Sequence, residues 1–318
     1  MSRESAARKI IFDTDPGQDD AAAILMALAS PQELEVMGII AVAGNVPLHH
    51  TERNARKILE LAGRGEIPVF AGSDKPMGRK LVTAEHVHGK TGLDGPDLPE
   101  PKIQLQKQPG IDFLIETLRA SAAGEITLCT LGPLTNIGLA LTRAPEIAPK
   151  IREIVMMAGA YFEVGNITPT AEFNVYVDPT AAEIVFKSGV PLTVMPLDVT
   201  HQLLLLQPRL DRLTELGNRS GKALAEALSF SRTFDVNKYG TEGAPLHDPT
   251  VIAWLLKPEL FGGRHINVEI ETKSELTMGM TVADYWRVTD RPANARYMRE
   301  VDVEGFFELL FERVARLP

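Results

Sequence analysis

Four carboxylates fall within the eight residues Asp13-Thr14-Asp15-Pro16-Gly17-Gln18-Asp19-Asp20. Held this close, they repel one another unless a cation neutralises them. The set offers only oxygen ligands, with no neighbouring histidine or cysteine, which selects a hard ion, calcium or magnesium. An EF-hand is excluded, because its loop is longer and closes on a glutamate. A plainer use exists for part of the cluster: Asp19 or Asp20 can cap a following helix, where the dipole favours a carboxylate. Capping leaves Asp13 and Asp15 without a purpose.

Other chemistry-bearing residues are scattered along the chain. Asn45 follows an apolar run, Gly132-Pro133-Leu134-Thr135-Asn136 follows another, and Asp198 a third. Gly165-Asn166 and Ala171-Glu172-Phe173-Asn174 place amides and a carboxylate in one stretch, a donor and acceptor set suited to sugar hydroxyls. Taken singly, such asparagines serve as turn residues. His247-Asp248-Pro249 offers a proton donor effective near neutral pH beside another carboxylate. Those three residues also suit a helix start, with Asp248 as cap and proline in the first turn.

The elements that position these groups alternate. Lys9 to Phe12 reads as a strand, Ala21 to Ala29 as a helix and Leu34 to Val42 as a strand, a βαβ unit. The alternation continues with His50–Leu61 helical, Val69–Ala71 extended, Asp112–Ala122 helical and Ile126–Thr130 extended. It closes with helix at Ile137–Leu141, strand at Ile154–Met157, helix at Pro179–Lys187, strand at Leu192–Met195 and helix at Thr250–Leu256. The expected fold is α/β, a single domain over 1–318 with an open, mostly parallel central sheet flanked by helices. In such sheets ligands bind beyond the carboxyl ends of the strands, where the polar residues above fall. A long loop at 72–109 and a helical cap at 201–242 interrupt the pattern.

Composition narrows the classes. A chain of 318 residues, 44% hydrophobic and 24% charged, can bury a large core. Acidic residues outnumber basic ones 42 to 33, a formal charge of -9 with no basic run, so a nucleic-acid partner is not expected. Cys129 stands alone, which excludes an intrachain disulfide. Neither a secretory leader nor a membrane span is read, and the expected compartment is the cytoplasm.

Taken in order, Asp13-Thr14-Asp15-Pro16-Gly17-x-Asp19-Asp20, Gly132 to Asn136, Ala171 to Asn174 and His247-Asp248-Pro249 resemble the inosine-uridine-preferring nucleoside hydrolase family. Asn45 and His88-Gly89 fit as well. The resemblance implies Ca2+ held by Asp15, Asp20 and Asp248 with the backbone carbonyl of Leu131. It also implies Asp13 as support for the shell, and Asp19, Asn45, Asn166, Glu172 and Asn174 around the ribose. Asp15 takes the proton of the attacking water, and His247 serves the leaving base with His88 and Tyr239 as helpers. A homodimer or homotetramer is implied too.

On base choice, the resemblance implies that purine-specific members stack the base on tryptophan; here Trp254 falls in a helix and reads as core, and Trp286 has no motif around it, so a pyrimidine-preferring or broad inosine-uridine enzyme is expected. Two rivals stay open. A nucleoside- or sugar-binding protein could share the fold without turnover. An Asp-nucleophile phosphohydrolase of the haloacid dehalogenase type also has an aspartate-rich strand exit, although its downstream Gly-Asp-x-x-x-Asp stretch is absent here.

Overall fold

A computed structural model describes residues 6–318. Eight strands form one sheet: β1 (Arg8–Thr14), β2 (Leu34–Ala41), β3 (Val69–Ala71), β4 (Ile126–Thr130), β5 (Ile151–Met157), β6 (Leu192–Met195), and from later in the chain β9 (Phe261–Ile266) and β12 (Ala295–Val301). Two small ribbons account for β7 (Leu204–Leu205) with β8 (Ala244–Pro245), and β10 (Val268–Ile270) with β11 (Thr281–Ala283). The sheet order is β3-β2-β1-β4-β5-β6-β12-β9, parallel throughout except for the β12–β9 edge pair.

β1 shows how the sequence builds this. Its residues alternate between faces, as the two-residue period of a strand requires. Ile10 and Phe12 join a core with the helices Gln18–Leu28, Pro249–Leu256 and Val303–Val314, while Ile11 joins the opposite core with Gly110–Ala120, Thr135–Arg143 and Pro179–Phe186. Both faces are covered, so the central strands read as apolar runs rather than alternating ones. Phe12 is wholly buried, and truncating it to alanine removes about 3–5 kcal/mol.

The strand order positions the site. From β1 the chain builds outward through β2 and β3, then returns to place β4 on the other side of β1 and continues through β5 and β6. The direction reverses between β1 and β4, and the crevice at such a reversal is where open α/β sheets bind ligands. The aspartate cluster leaves β1 there and Leu131–Asn136 leaves β4 beside it.

The expected strands and helices are present, with ends displaced by a few residues; the first helix begins at Gln18 rather than Ala21. The loop at 72–109 holds one short helical turn, Glu85–His88. The stretch at 201–242 contains Gln207–Glu215 and Arg219–Tyr239; the second helix packs on Gln18–Leu28 and sends side chains over the sheet end. Unanticipated from sequence were β9 to β12 and the final helix, in a region whose pattern is broken by short strands and turns. Among the described residues no helix is long and apolar enough to cross a membrane.

Candidate active site

A cavity of about 490 Å³ opens at the carboxyl ends of the strands. Its floor carries Asp19, Asn45, Leu131, Glu172, Asn174 and Asp248. Its roof is formed by Leu228, Phe234 and Lys238 of the helix Arg219–Tyr239, with His86 and Val87 of the long loop. Among the described residues, the carboxylates of Asp19, Asp20 and Asp248 bring ligand oxygens within 4.8 Å of one another.

Asp15 lies against this trio in a tight backbone cradle. Its Oδ2 accepts the Asn45 backbone N–H at 2.7 Å, and the Asn45 side-chain amide donates to the Asp15 carbonyl at 3.1 Å and to Asp20 Oδ2 at 3.3 Å. A Cβ at Gly44 or at Gly132 would collide with the Asp15 carboxylate, so glycine is the residue that admits it. Asp15 Oδ1 and Asp13 Oδ2 are buried with no hydrogen-bond partner. Asn136 donates to Asp13 Oδ1 at 2.7 Å, fixing that carboxylate from β4's side.

Asp20 serves two masters. It accepts from Thr14 Oγ1 and from the Gly17 backbone N–H at 2.9 Å, so the capping use anticipated for this residue is real. Asp248 differs: its side chain makes no cap bond to the helix Pro249–Leu256 that it precedes, which leaves its carboxylate facing the other aspartates.

Burial pushes every one of these carboxyls upward, because the charged form is desolvated. Asp13 rises to about 7, held back partly by its bond from Asn136. Asp15 rises well above the ordinary range through burial and then the charge of Asp20; Asp248 does so through burial and then Asp19, Asp20 and Asp15. Asp19 and Asp20 are raised as well, burial leading in both. Orphaned carboxylate oxygens and mutual repulsion in an oxygen-only set are what a hard cation relieves, so the residues fit one.

The sugar-facing candidates are held by backbone groups. Glu172 caps the helix Phe173–Val177, accepting from Asn174 N at 2.8 Å, Val175 N at 3.3 Å and Gly159 N at 3.0 Å; burial still lifts it to about 7. The Asn174 amide donates to the Leu131 carbonyl at 2.7 Å and to the Met157 carbonyl at 3.0 Å. Asn166 Oδ1 accepts the Phe173 N–H at 2.9 Å, tying the 160s loop to that helix.

Two imidazoles are kept neutral by burial. His88, lowered to about 4, pairs through Nδ1 with Gln18 Oε1 at 2.7 Å; His247, lowered to about 3, pairs through Nδ1 with Thr200 Oγ1 at 2.8 Å. Each bond engages Nδ1 and so orients a ring, and both residues line the cavity.

The model of the family described as inosine-uridine preferring nucleoside hydrolase matches residues 10–308. The chain belongs to this family. An uncharacterized protein of Schizosaccharomyces pombe is 54% identical over 98% of this chain and 100% of its own. A pyrimidine-specific ribonucleoside hydrolase, RihA, of Shewanella sp. strain ANA-3 is 48% identical over 97% of this chain and 96% of its own. Among solved structures, a purine-preferring ribonucleoside hydrolase from Gardnerella vaginalis superposes with a TM-score of 0.90 at 32% identity, covering 97% of this chain and 98% of the other. The protein is thus a nucleoside hydrolase, an N-glycosidase that splits ribonucleosides with water.

In this nucleoside hydrolase the structure gathers nearly all the residues singled out from the sequence. Asp13, Asp15, Asp19, Asp20, Asn45, Leu131 and Asp248 meet at the β1/β4 crevice, and His88, Asn166, Glu172, Asn174 and His247 line the cavity. Tyr239 ends the helix Arg219–Tyr239, but its side chain lies outside the described residues. Trp254 packs against the core edge-on to Phe261, and Trp286 is 68% exposed; neither lines the cavity. Sequence reading passed over Gln18 and Thr200, which orient the two histidines. Thr200 sits two residues past Asp198 at a strand exit, and that position was the available signal.

Proposed function

We propose that this nucleoside hydrolase holds Ca2+ through Asp15, Asp20, Asp248 and the Leu131 carbonyl, and prefers pyrimidine ribonucleosides. The observation that carries the metal reading is the buried, partnerless Asp15 Oδ1 inside a cluster of carboxyls driven upward by burial and by one another. Burying several carboxylates without a counter-ion is strongly unfavourable. When bound, Ca2+ neutralises this charge and acidifies a coordinated water.

The chain's own groups carry out the rest. Asp15 accepts the proton of the attacking water and aims it at the anomeric carbon, its carboxylate fixed by the Asn45 N–H and the walls of Gly44 and Gly132. Asp13, held by Asn136, supports the same water. Asp19, Asn45, Asn166, Glu172 and Asn174 grip the ribose hydroxyls. As the glycosidic bond breaks, positive charge develops on the sugar, and acceptor oxygens around it stabilise the transition state more than the ground state. His247, its Nδ1 engaged by Thr200, presents Nε2 to the leaving base, with His88 of the same cavity wall as a helper.

Preference for pyrimidines is supported by the pyrimidine-specific relative at 48% identity, set against the purine-preferring structure at 32%, and by a cavity wall that offers no tryptophan to stack a purine. We place the enzyme in the cytoplasm as a homodimer or homotetramer. The test is base release from uridine, cytidine, inosine and adenosine, with calcium present and after chelation. Calcium-dependent release led by a pyrimidine ribonucleoside is expected. Equal rates after complete chelation would remove the metal reading, and a lead by inosine would remove the base preference.

A further inference from the structure

Beyond His247, the cavity wall holds a device that catalysis as described does not use. The backbone N–H groups of three successive residues converge on one carboxylate: Tyr161 N reaches Asp198 Oδ2 at 3.1 Å, while Phe162 N and Glu163 N reach Oδ1 at 2.5 and 2.8 Å. The Tyr297 hydroxyl donates to Oδ2 at 2.8 Å. Asp198 is only 6% exposed, and these four donors fill its acceptor capacity. From outside, the Arg299 guanidinium lies 3.9 Å over the Phe162 ring, which also meets Tyr285 edge-on at 5.0 Å. A short loop is therefore clamped on both sides at the cavity rim.

The turn that carries Asp198 also carries Thr200, bonded to His247, and His201, whose Nδ1 lies 3.4 Å from Glu163 Oε2. The His201 ring centre is 5.9 Å from that of His247, and both Glu163 and His201 line the cavity. One turn of backbone thus fixes the imidazole that serves the leaving base and, one ring farther along, a carboxylate-imidazole pair. The Glu163–His201 contact is long for a hydrogen bond, which leaves the carboxylate free to accept from another donor.

We propose that Glu163, paired with His201, accepts the ring N–H on the hydrogen-bonding edge of the base, and that Asp198 is the positioning residue that sets Glu163 in place. The proposal rests on the ribonucleoside reading above and adds the group that reads the base. A carboxylate only accepts, so it matches the N3–H of uracil or the N1–H of hypoxanthine. Burial lowers the His201 pKa, so the ring beside Glu163 stays neutral and leaves the carboxylate available. The base's proton count is unchanged by this contact; Glu163 binds and does not transfer a proton.

The test compares uridine with 3-methyluridine, which lacks the ring N–H, in the calcium-loaded wild type, E163A and D198N. In the wild type, kcat/KM for uridine should exceed that for 3-methyluridine on the order of a hundredfold, since a site built for a hydrogen bond rejects the analogue lacking it. E163A should narrow the ratio to within about threefold, chiefly by losing uridine. D198N should narrow it likewise, through KM more than kcat, while inhibition by free D-ribose stays at the wild-type level in both variants. A ratio unchanged in E163A would overturn the assignment of Glu163. A ratio unchanged in D198N, or a loss of ribose inhibition that accompanies it, would overturn the positioning role. Should the wild type release base from no ribonucleoside at all, the functional reading falls first, a result plainly separate from intact uridine hydrolysis with unaltered discrimination.

Discussion

The floor and the roof of the cavity are built on opposite principles. The floor is charge and amide, locked by backbone hydrogen bonds at the ends of β1, β2, β4 and β5, with glycines pressed against the Asp15 carboxylate. The roof is a single helix face and a loop, where Phe234 meets His86 edge-on at 5.3 Å and Lys238 lies 5.2 Å from the same ring. Rigid sheet ends suit groups that must be placed to fractions of an ångström in a transition state. A side-chain roof on loop and helix suits closure over a substrate. On the function proposed above, the difference gives chemistry and sugar recognition to the floor and covering of the bound nucleoside to the roof.

That division can be broken by experiment. Its largest expected effect is on 2′-deoxyuridine, whose kcat/KM should fall about 10⁴-fold below that of uridine, because floor groups are left unpaired. Comparable rates for the two nucleosides would mean that the floor does not grip the ribose. Next, Asp15→Ala should lower kcat by about 10³-fold or more with the circular dichroism spectrum retained, as expected for loss of a general base. A change confined to KM would move Asp15 out of the chemistry. On the roof, Phe234→Ala should raise KM about tenfold and leave kcat within about threefold, the signature of uniform binding. A kcat loss as large as that of Asp15→Ala would erase the contrast.

A smaller effect reads the floor's charge directly. Asp13 and Glu172 have folded values near 7, above the ordinary 3.8 and 4.5, so each favours the folded state fully below its ordinary value. That contribution is lost as pH rises from the ordinary value towards about 7, since over this range the unfolded chain gives up its proton while burial makes the folded form keep it. Metal-free protein should accordingly lose stability from these two groups between about pH 4 and pH 7. Calcium at the proposed site would compete with protons for the cluster, so saturating calcium should raise Tm by about 5 °C at pH 8 and by less than half as much at pH 5. An equal rise at both pH values would show that calcium binds away from these carboxylates.

The same contrast explains what could be read from sequence. The floor was legible because Asp13 to Asp20 is contiguous, because polar residues after apolar strands stand out at Asn45 and Leu131–Asn136, and because Asp248 stands beside His247 ahead of a helix. Strand sequence and polarity also sufficed for the parallel core, where β1, β4 and β5 are apolar on both faces. The roof was legible only as helical, since which of its side chains face the cavity depends on how the helix docks. Thr200 and Gln18 escaped notice because a hydroxyl or amide that orients a histidine gives no local signal; its partner is 47 or 70 positions away. β12 escaped for a similar reason. Ala295–Val301 carries three charged residues and joins the sheet beside β6 only through tertiary pairing.

Tyr297 lies on that strand, and it reaches Asp198 across 99 positions of chain, while Asn136 reaches Asp13 across 123. Contacts of such separation come late in folding, because the chain between them must be ordered before they are rewarded. Helical signal should therefore return early on dilution from denaturant, with turnover recovered only when the last parallel strand docks. The expected outcome is that competence is acquired at the end of folding, so that helical signal precedes turnover in a refolding time course.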